Sequence, residues 1–244
     1  MNRVLFEKDE VCAGGHVCVT GRRAAHIAGV LNARVGDSVR VGILDGPRGV
    51  GEILSVSDVS AEMVCEFDEK PPPAPLVDIL MAMPRPKVMR RLWAQLSSLG
   101  VGSIVLTNAA KVERNYFATH WLNEETYRPR LIEGLEQSGD TFVPQVSVVR
   151  RFRPFVEDRL DGLFADSRRL VCHPRNAVSI GDIELKKSQR VMLAIGPEGG
   201  WSNYEVDLLG EHGFECVSLG WRTLRSDVAA VALISAVTAV RGDF

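Results

Sequence analysis

The apolar run Val-Met-Leu-Ala-Ile at residues 191–195 stops abruptly at Gly196-Pro197-Glu198-Gly199-Gly200. A helical pattern follows, then a second run, Cys216-Val217-Ser218-Leu219, which also ends on a glycine, Gly220. Two buried strands with glycine exits, joined by one helix, leave few architectures open. They point to an α/β sheet in which backbone at the strand ends lines a ligand pocket.

The pattern upstream agrees. From Leu76 the chain alternates strands and helices: LVDILMAM, then PKVMRRLWAQLSSLG closed by Gly100, then SIVLTN. In the helix, Val88, Leu92, Leu96 and Leu99 share one face, while Arg90 and Arg91 turn elsewhere. A longer helical stretch is expected from about His120 to Gln137, interrupted near Pro129, with further strands in FVPQVSVV, RLVCHP, RVMLAI and ECVSLG. The Ala-rich SDVAAVALISAVTAV closes the chain as a helix. Strands that are apolar throughout predict a mostly parallel sheet covered on both faces. Residues 3–67 read differently, as short Val/Ile/Phe-rich β segments around one helix, GRRAAHIAGVL, whose Ala24, Ile27, Val30 and Leu31 share a face. His26 lies beside that face as a core or boundary residue. Between the two patterns, four prolines in the five residues 71–75 can continue neither helix nor sheet. The expected organisation is therefore a small β-barrel (1–70), a Pro-rich linker (71–75) and an α/β domain (76–244).

Composition removes several functions. A net charge of −2 excludes a strongly basic binder indifferent to sequence, although Arg85, Lys87, Arg90 and Arg91, Arg150, Arg151 and Arg153, and Lys186, Lys187 and Arg190 form local basic clusters. No apolar run reaches the length of a membrane span, and MNRVLFEKDE lacks a signal-peptide core, so a cytoplasmic protein with no membrane partner is expected. The five cysteines are scattered and never spaced Cys-x-x-Cys, which predicts reduced, mostly buried thiols. Neither they nor the five histidines have metal-ligand spacing, and no metal is expected.

The first glycine loop makes a poor phosphate cradle. It lacks Gly-x-Gly-x-x-Gly spacing and a P-loop lysine, and Glu198 would repel a pyrophosphate. Ser202 and Glu205 already form a Ser-x-x-Glu capping box, so helix initiation does not need Glu198. A nucleobase or ribose, with a positive or neutral polar part near the carboxylate, suits the loop better. The second loop, Gly220-Trp221-Arg222-Thr223-Leu224-Arg225, brings two arginines to a presumed helix start at Ser226. They could pair a carboxylate, hold an RNA phosphate or stabilise developing negative charge, or stand as ordinary surface residues.

The combination IGPEGGWSNYEV, VSLGWRTLR and an Ala-rich terminal helix resembles the SPOUT-class, trefoil-knotted methyltransferases. Within them it is similar to the family that methylates uridine N3 of bacterial small-subunit (16S) ribosomal RNA. MPRPKVMRRLWAQLSSLGVGSIV resembles that family's first strand and helix, and Glu136-Gln137-Ser138-Gly139 with Pro144 its EQSG…P element. Arg3, Phe6, Gly36 and Asp37 fit its PUA-like RNA-binding barrel.

The resemblance implies a PUA-like barrel followed by a knotted α/β domain, a homodimer, and S-adenosylmethionine as cofactor. It implies that Leu193, Ile195, Gly196, Pro197, Glu198, Gly199, Gly200, Leu219, Gly220 and Leu224 hold the cofactor. Arg225, then Arg222, would stabilise charge on the uracil oxygens, and Glu198 or Asp227 would accept the N3 proton. Ribosomal RNA, free or in the small subunit, would meet Arg3, Arg22, Arg23, Gln137 and Ser138, and Trp201 would stack a base or serve as lid or core. The chain departs from the family at Trp221, Val228, Asn32 and Asp140, so a different RNA site is one alternative. A non-catalytic RNA-binding assembly factor is another. A dinucleotide oxidoreductase is opposed by Glu198 and the missing glycine spacing.

Overall fold

The computed structural model describes residues 3–174 and 176–242. The chain forms two compact units, Met1–Ala74 with Ile132–Val143, and Pro75–Leu131 with Pro144–Phe244. Residues 70–76 between the two patterns carry no secondary structure, as four prolines require. Ile132–Val143 grouping with the first unit has no counterpart in local sequence pattern.

The first unit is a five-stranded sheet in the order β1-β3-β4-β5-β2, comprising Val4–Phe6 (β1), His16–Thr20 (β2), Ser38–Ile43 (β3), Arg48–Val56 (β4) and Ser60–Glu69 (β5). β1 runs parallel to β3 and every other pairing is antiparallel. Among the described residues no ladder joins β1 to β2. Alternation along β2 and β4 turns Val17, Val19 and Ile53 inward onto helix α1 (Arg22–Gly29), whose Ala24 and Ile27 are fully buried. Val30, expected on that face, is instead the exposed C-cap residue, because the helix ends one residue earlier. The β4–β5 register shifts between Arg48 and Val50, and a Cβ on Gly49 would stand 1.7 Å from the Glu66 carbonyl oxygen. Only glycine fits that bulge.

The second unit is a seven-stranded sheet in the order β10-β12-β9-β11-β6-β7-β8, parallel in every ladder among the described residues. Its strands are Val77–Ala82 (β6), Val101–Thr107 (β7), Gln145–Val149 (β8), Arg168–Cys172 (β9), Val178–Ser179 (β10), Val191–Ile195 (β11) and Phe214–Ser218 (β12). β6 and β11 are buried at every position, which matches a sequence that is apolar throughout β11 and apolar in β6 but for Asp78. Helix α2 (Pro86–Ser98) buries Val88, Leu92 and Leu96, with Pro86 in its first turn where a missing N–H costs nothing. Helix α3 (Glu124–Ser138) runs unbroken through Pro129. The expected interruption is absent because a proline this close to the N-terminus removes only one hydrogen bond, and burial of Leu131 and Leu135 outweighs it. The short helices α4 (Phe152–Phe155) and α5 (Asp161–Leu163) are joined by a π-helical turn. Helix α6 (Asn203–Glu211) connects β11 to β12, and α7 (Ser226–Arg241) ends on Gly242 in the left-handed region. No helix among the described residues is long and apolar enough to cross a membrane.

All five cysteines are free. Cys65 alone is buried, Cys172 and Cys216 are half-buried, and Cys12 and Cys18 are exposed, which corrects the expectation of mostly buried thiols. Cys18 faces out because alternation along β2 puts Val17 and Val19 inside.

Candidate active site

Strand order brings the two glycine loops together. β11 and β12 lie on either side of β9, and all three end at the same edge of the parallel sheet. The chain leaves β11 at Gly196 and β12 at Gly220, and it leaves β9 at His173 between them. A crevice of about 380 Å³ opens there, where the chain reverses direction across the sheet.

Its walls are of three kinds. Backbone comes from Gly196–Gly200 and from Leu219–Leu224. Apolar surface comes from Ile195, Val217, Leu219, Leu224 and Ala229. Polar side chains are few: Glu198, Lys111, His173, Ser218, Arg222, Thr223 and Ser226. Gly220 has φ +105°, a conformation closed to most side chains, and a Cβ there would meet nothing within 4 Å. The glycine is required by the backbone turn, and the space beside it is open.

Capping and tethering hold the first loop. The Ser202 hydroxyl accepts from Glu205 N–H at 3.3 Å, and Glu205 Oε2 accepts from Ser202 N–H at 2.7 Å. The capping box read from sequence is formed. Glu205 is buried, and its other oxygen accepts from the Ala110 N–H at 2.7 Å. Lys111 Nζ donates to the Gly199 carbonyl at 2.7 Å. Trp201 is core, 2% exposed, with its ring 5.3 Å from that of Phe152. It also packs so closely on Gly196 that a Cβ there would stand 3.1 Å from its backbone nitrogen.

Charge around the crevice is mostly paired. Glu198 Oε1 accepts from the Arg85 backbone N–H at 3.3 Å and lies 4.0 Å from the Arg85 side chain. Asp227 lies 3.4 Å from Arg91 and 3.5 Å from Arg225 Nε. Arg222 stacks over Trp221, 4.4 Å from the ring centroid. Burial pushes the Cys172 thiol above its usual pKa, which keeps that crevice residue protonated.

Of the ten residues expected to hold a cofactor, nine line this crevice. Leu193 does not, because it lies two residues inside β11 at 1% exposure. Of the catalytic candidates, Glu198 and Arg222 line the crevice, whereas Arg225 and Asp227 stand at the first turn of α7 beside it. The residues expected to meet RNA all belong to the first unit. There Arg3 is buried, its NH1 donating to the Val41 carbonyl at 2.5 Å and its NH2 3.7 Å from Glu69, so it braces the sheet. Arg23 is half-buried on Glu10 and the Leu5 carbonyl. Arg22 pairs with buried Glu136 at 3.1 Å but stays exposed, as do Gln137 and Ser138. Lys111, Cys172, His173 and Pro174 went unread in the sequence. For Cys172, His173 and Pro174 the signal is strand order, since β9 between β11 and β12 puts them at the crevice, whereas Lys111 follows β7 and reaches it through its bond to Gly199.

Comparison with known proteins agrees with this geometry. Residues 71–238 match the model of the RNA methyltransferase domain. The chain is 34% identical to the ribosomal RNA small subunit methyltransferase E of Treponema pallidum, covering 98% of this chain and 91% of that protein. Its fold is similar to that of a ribosomal RNA small subunit methyltransferase E from Neisseria gonorrhoeae bound to S-adenosylmethionine, with TM-score 0.79 and 22% identity over 100% of this chain and 99% of the other. It is also similar to a Legionella pneumophila methyltransferase in complex with S-adenosylmethionine, with TM-score 0.78 and 22% identity over 98% and 97% of the two chains. An all-parallel sheet with a backbone-lined crevice at its strand ends, a family model spanning most of the length and a near full-length relative make one assignment: the chain belongs to the RNA methyltransferase family, as a SPOUT-class member of the ribosomal RNA small subunit methyltransferase E type.

Proposed function

We propose that the chain is an S-adenosylmethionine-dependent methyltransferase acting on N3 of a uridine in small-subunit ribosomal RNA. The observation that carries this reading is the crevice between the glycine exits of β11 and β12, with Glu198 on its wall. Open backbone beside Gly220 and apolar Ile195, Leu219, Leu224 and Ala229 suit a nucleoside, and a lone carboxylate in the loop suits positive charge while repelling phosphate. The residues present therefore fit the cofactor. Ile195–Gly200, Leu219, Gly220 and Leu224 would hold it. S-adenosylmethionine, when bound, supplies a methyl group on a positively charged sulfur.

The remaining chemistry falls to the chain. N3 of uridine bears an imide proton that must leave for its lone pair to react. Glu198 is the carboxylate on the crevice wall and accepts that proton, directly or through water. Negative charge then spreads onto the uracil oxygens, where Arg225 stabilises it. Arg222 is drawn to the rim by its stack on Trp221 and is the second choice. A base reached in this way is single-stranded or flipped out of its helix.

The wider assembly belongs to the same proposal. The five-stranded first unit serves as a PUA-like RNA-binding barrel, through exposed Arg22, Gln137 and Ser138. Insertion of β11 between β9 and β6, followed by return of α7, supports a knotted path for the C-terminal segment. A homodimer in the cytoplasm completes the reading.

The experiment is direct. Titration calorimetry should show binding of S-adenosylmethionine to the purified chain. Incubation with small-subunit RNA from a strain lacking the gene should then yield 3-methyluridine by nucleoside mass spectrometry. Absence of cofactor binding sinks the enzyme reading, and a different methylated nucleoside sinks the uridine assignment.

A further inference from the structure

Trp221 is the most exposed large apolar side chain among the described residues, at 84%. Structural economy does not explain it. The loop needs a glycine at 220 for its left-handed turn, but it asks nothing of the next side chain, and the indole packs into no core. A bare indole beside a crevice costs solubility and gains nothing for folding, so it points to a ligand or partner.

The surroundings say which. Arg222 lies 4.4 Å from the indole centroid, which pins both side chains at the crevice rim. The nearby cations Arg85, Arg91, Arg222, Arg225 and Lys111 are all exposed. The two carboxylates among them are the less exposed members of their pairs, Glu198 at 33% beside Arg85 at 69%, and Asp227 at 18% beside Arg91 at 61%. The surface therefore offers guanidinium and ammonium heads around one aromatic face. An apolar protein surface docked here would strip water from the exposed sides of these cations and offer no charge in return. Single-stranded RNA matches both parts, with phosphates for the cations and a base plane for the indole.

We infer that Trp221 is a stacking platform for a nucleobase neighbouring the methylated uridine, and that with Arg222 it sets which single-stranded RNA the crevice accepts. This rests on the RNA-methylation reading above. Trp221 acts as a positioning residue, because the indole stands at the rim and takes no part in methyl transfer.

The test uses the full chain and short single-stranded RNAs spanning the target uridine. Trp221→Ala should lower RNA affinity about five- to a hundredfold, the range of one lost base–aromatic stack. It should raise KM for RNA with kcat at saturating RNA little changed, and Trp221→Phe should restore most of the loss. An RNA with an abasic site beside the uridine should bind wild type and Trp221→Ala equally. RNA should quench a red-shifted emission that disappears in Trp221→Phe. If Trp221→Ala binds RNA as wild type does, the inference is overturned. Dissociation of a dimer on ultracentrifugation with RNA affinity per active site intact overturns it too, and assigns the indole to a second copy of the chain. Cofactor binding by wild type is measured alongside, so that loss of methylation altogether is read against the proposed function and not against Trp221.

Discussion

Lys111 Nζ donates to the carbonyl oxygen of Gly199 at 2.7 Å, tying the segment after β7 to the glycine loop after β11. The loop has glycines at both 199 and 200, so its chain entropy is high, and this bond adds to the Gly200 N–H to Pro197 carbonyl turn and the Glu198 bond from the Arg85 N–H in restraining it. Lys111→Met keeps most of the stem that packs on Gly199 and removes the donor. The expected outcome is weaker S-adenosylmethionine binding, by about three- to tenfold in Kd, with thermal stability within about 1 kcal/mol of wild type because the bond is exposed. Calorimetry and a melting curve check both halves.

Glu205 anchors the same loop from inside. Its two oxygens accept from Ala110 N–H, Ser202 N–H and the Ser202 hydroxyl, and it is only 4% exposed. Glu205→Ala leaves two N–H groups in need of partners and removes the reciprocal half of the cap. The loss should be about 2–4 kcal/mol. Ser202→Ala removes one acceptor and should cost about 1 kcal/mol. Urea denaturation of the two variants should rank them in that order.

The capping box shows what kind of structure is legible in sequence. Ser202 and Glu205 are three residues apart, and the physics linking them is local, so spacing alone reveals the bond. The same holds for the five strands of the first unit and for the apolar cores of β6 and β11. What sequence did not disclose is nonlocal. The crevice exists because β9 lies between β11 and β12, and no short-range pattern encodes that order. Pro129 was expected to break a helix that tertiary burial keeps whole. Two family departures acquire local causes. Asn32 sits at φ +51°, a left-handed position that asparagine tolerates, and Asp140 Oδ1 accepts from Thr141 and Phe142 N–H in a tight turn.

Arg190 and Asp78 form the most consequential ion pair in the second unit. Asp78 is fully buried in β6, and Arg190 meets it with Nε at 2.5 Å and NH2 at 3.0 Å. Removing the guanidinium leaves a buried carboxylate alone. Arg190→Ala should therefore destabilise by about 3 kcal/mol, at the low end for a buried pair because the arginine is partly exposed. For a chain of this size that is roughly a 6–12 °C fall in Tm by calorimetry.

Two carboxylates of the first unit should give opposite pH responses. Burial holds Glu136 above the ordinary carboxylate pKa of 4.5, against the pull of Arg22. The native state then keeps a proton that the unfolded state has lost, so stability falls as pH rises from about 4.5 to the raised value. Glu10 is held below 4.5, chiefly by its hydrogen bond from Arg23. Its contribution is present above 4.5 and is lost as pH falls through the lowered value. Relative to Glu136→Gln, wild type should lose ground as pH rises above 4.5. Relative to Glu10→Gln, it should lose ground only below 4.5. Denaturation midpoints across pH 3–7 distinguish the two.

Arg225 offers the sharpest test of the chemistry, because its removal should leave the fold intact. It occupies the N-cap position of α7 but makes no side-chain cap, so truncation does not uncap the helix. Its Nε faces Asp227 at 3.5 Å, and Asp227 keeps Arg91 at 3.4 Å when Arg225 is gone. An exposed pair of this kind contributes little to stability. If the guanidinium stabilises charge on the uracil oxygens, Arg225→Ala should lower kcat by about 3–4 kcal/mol, or roughly a hundred- to a thousandfold, with cofactor Kd and Tm near wild type. Arg225→Lys should recover only part of the rate, since an ammonium cannot reproduce the planar donor fork. Single-turnover methylation separates this outcome from slower RNA binding. Should Arg225→Ala keep its full rate while Arg222→Ala loses it, the charge-stabilising role passes to Arg222, the arginine that lines the crevice.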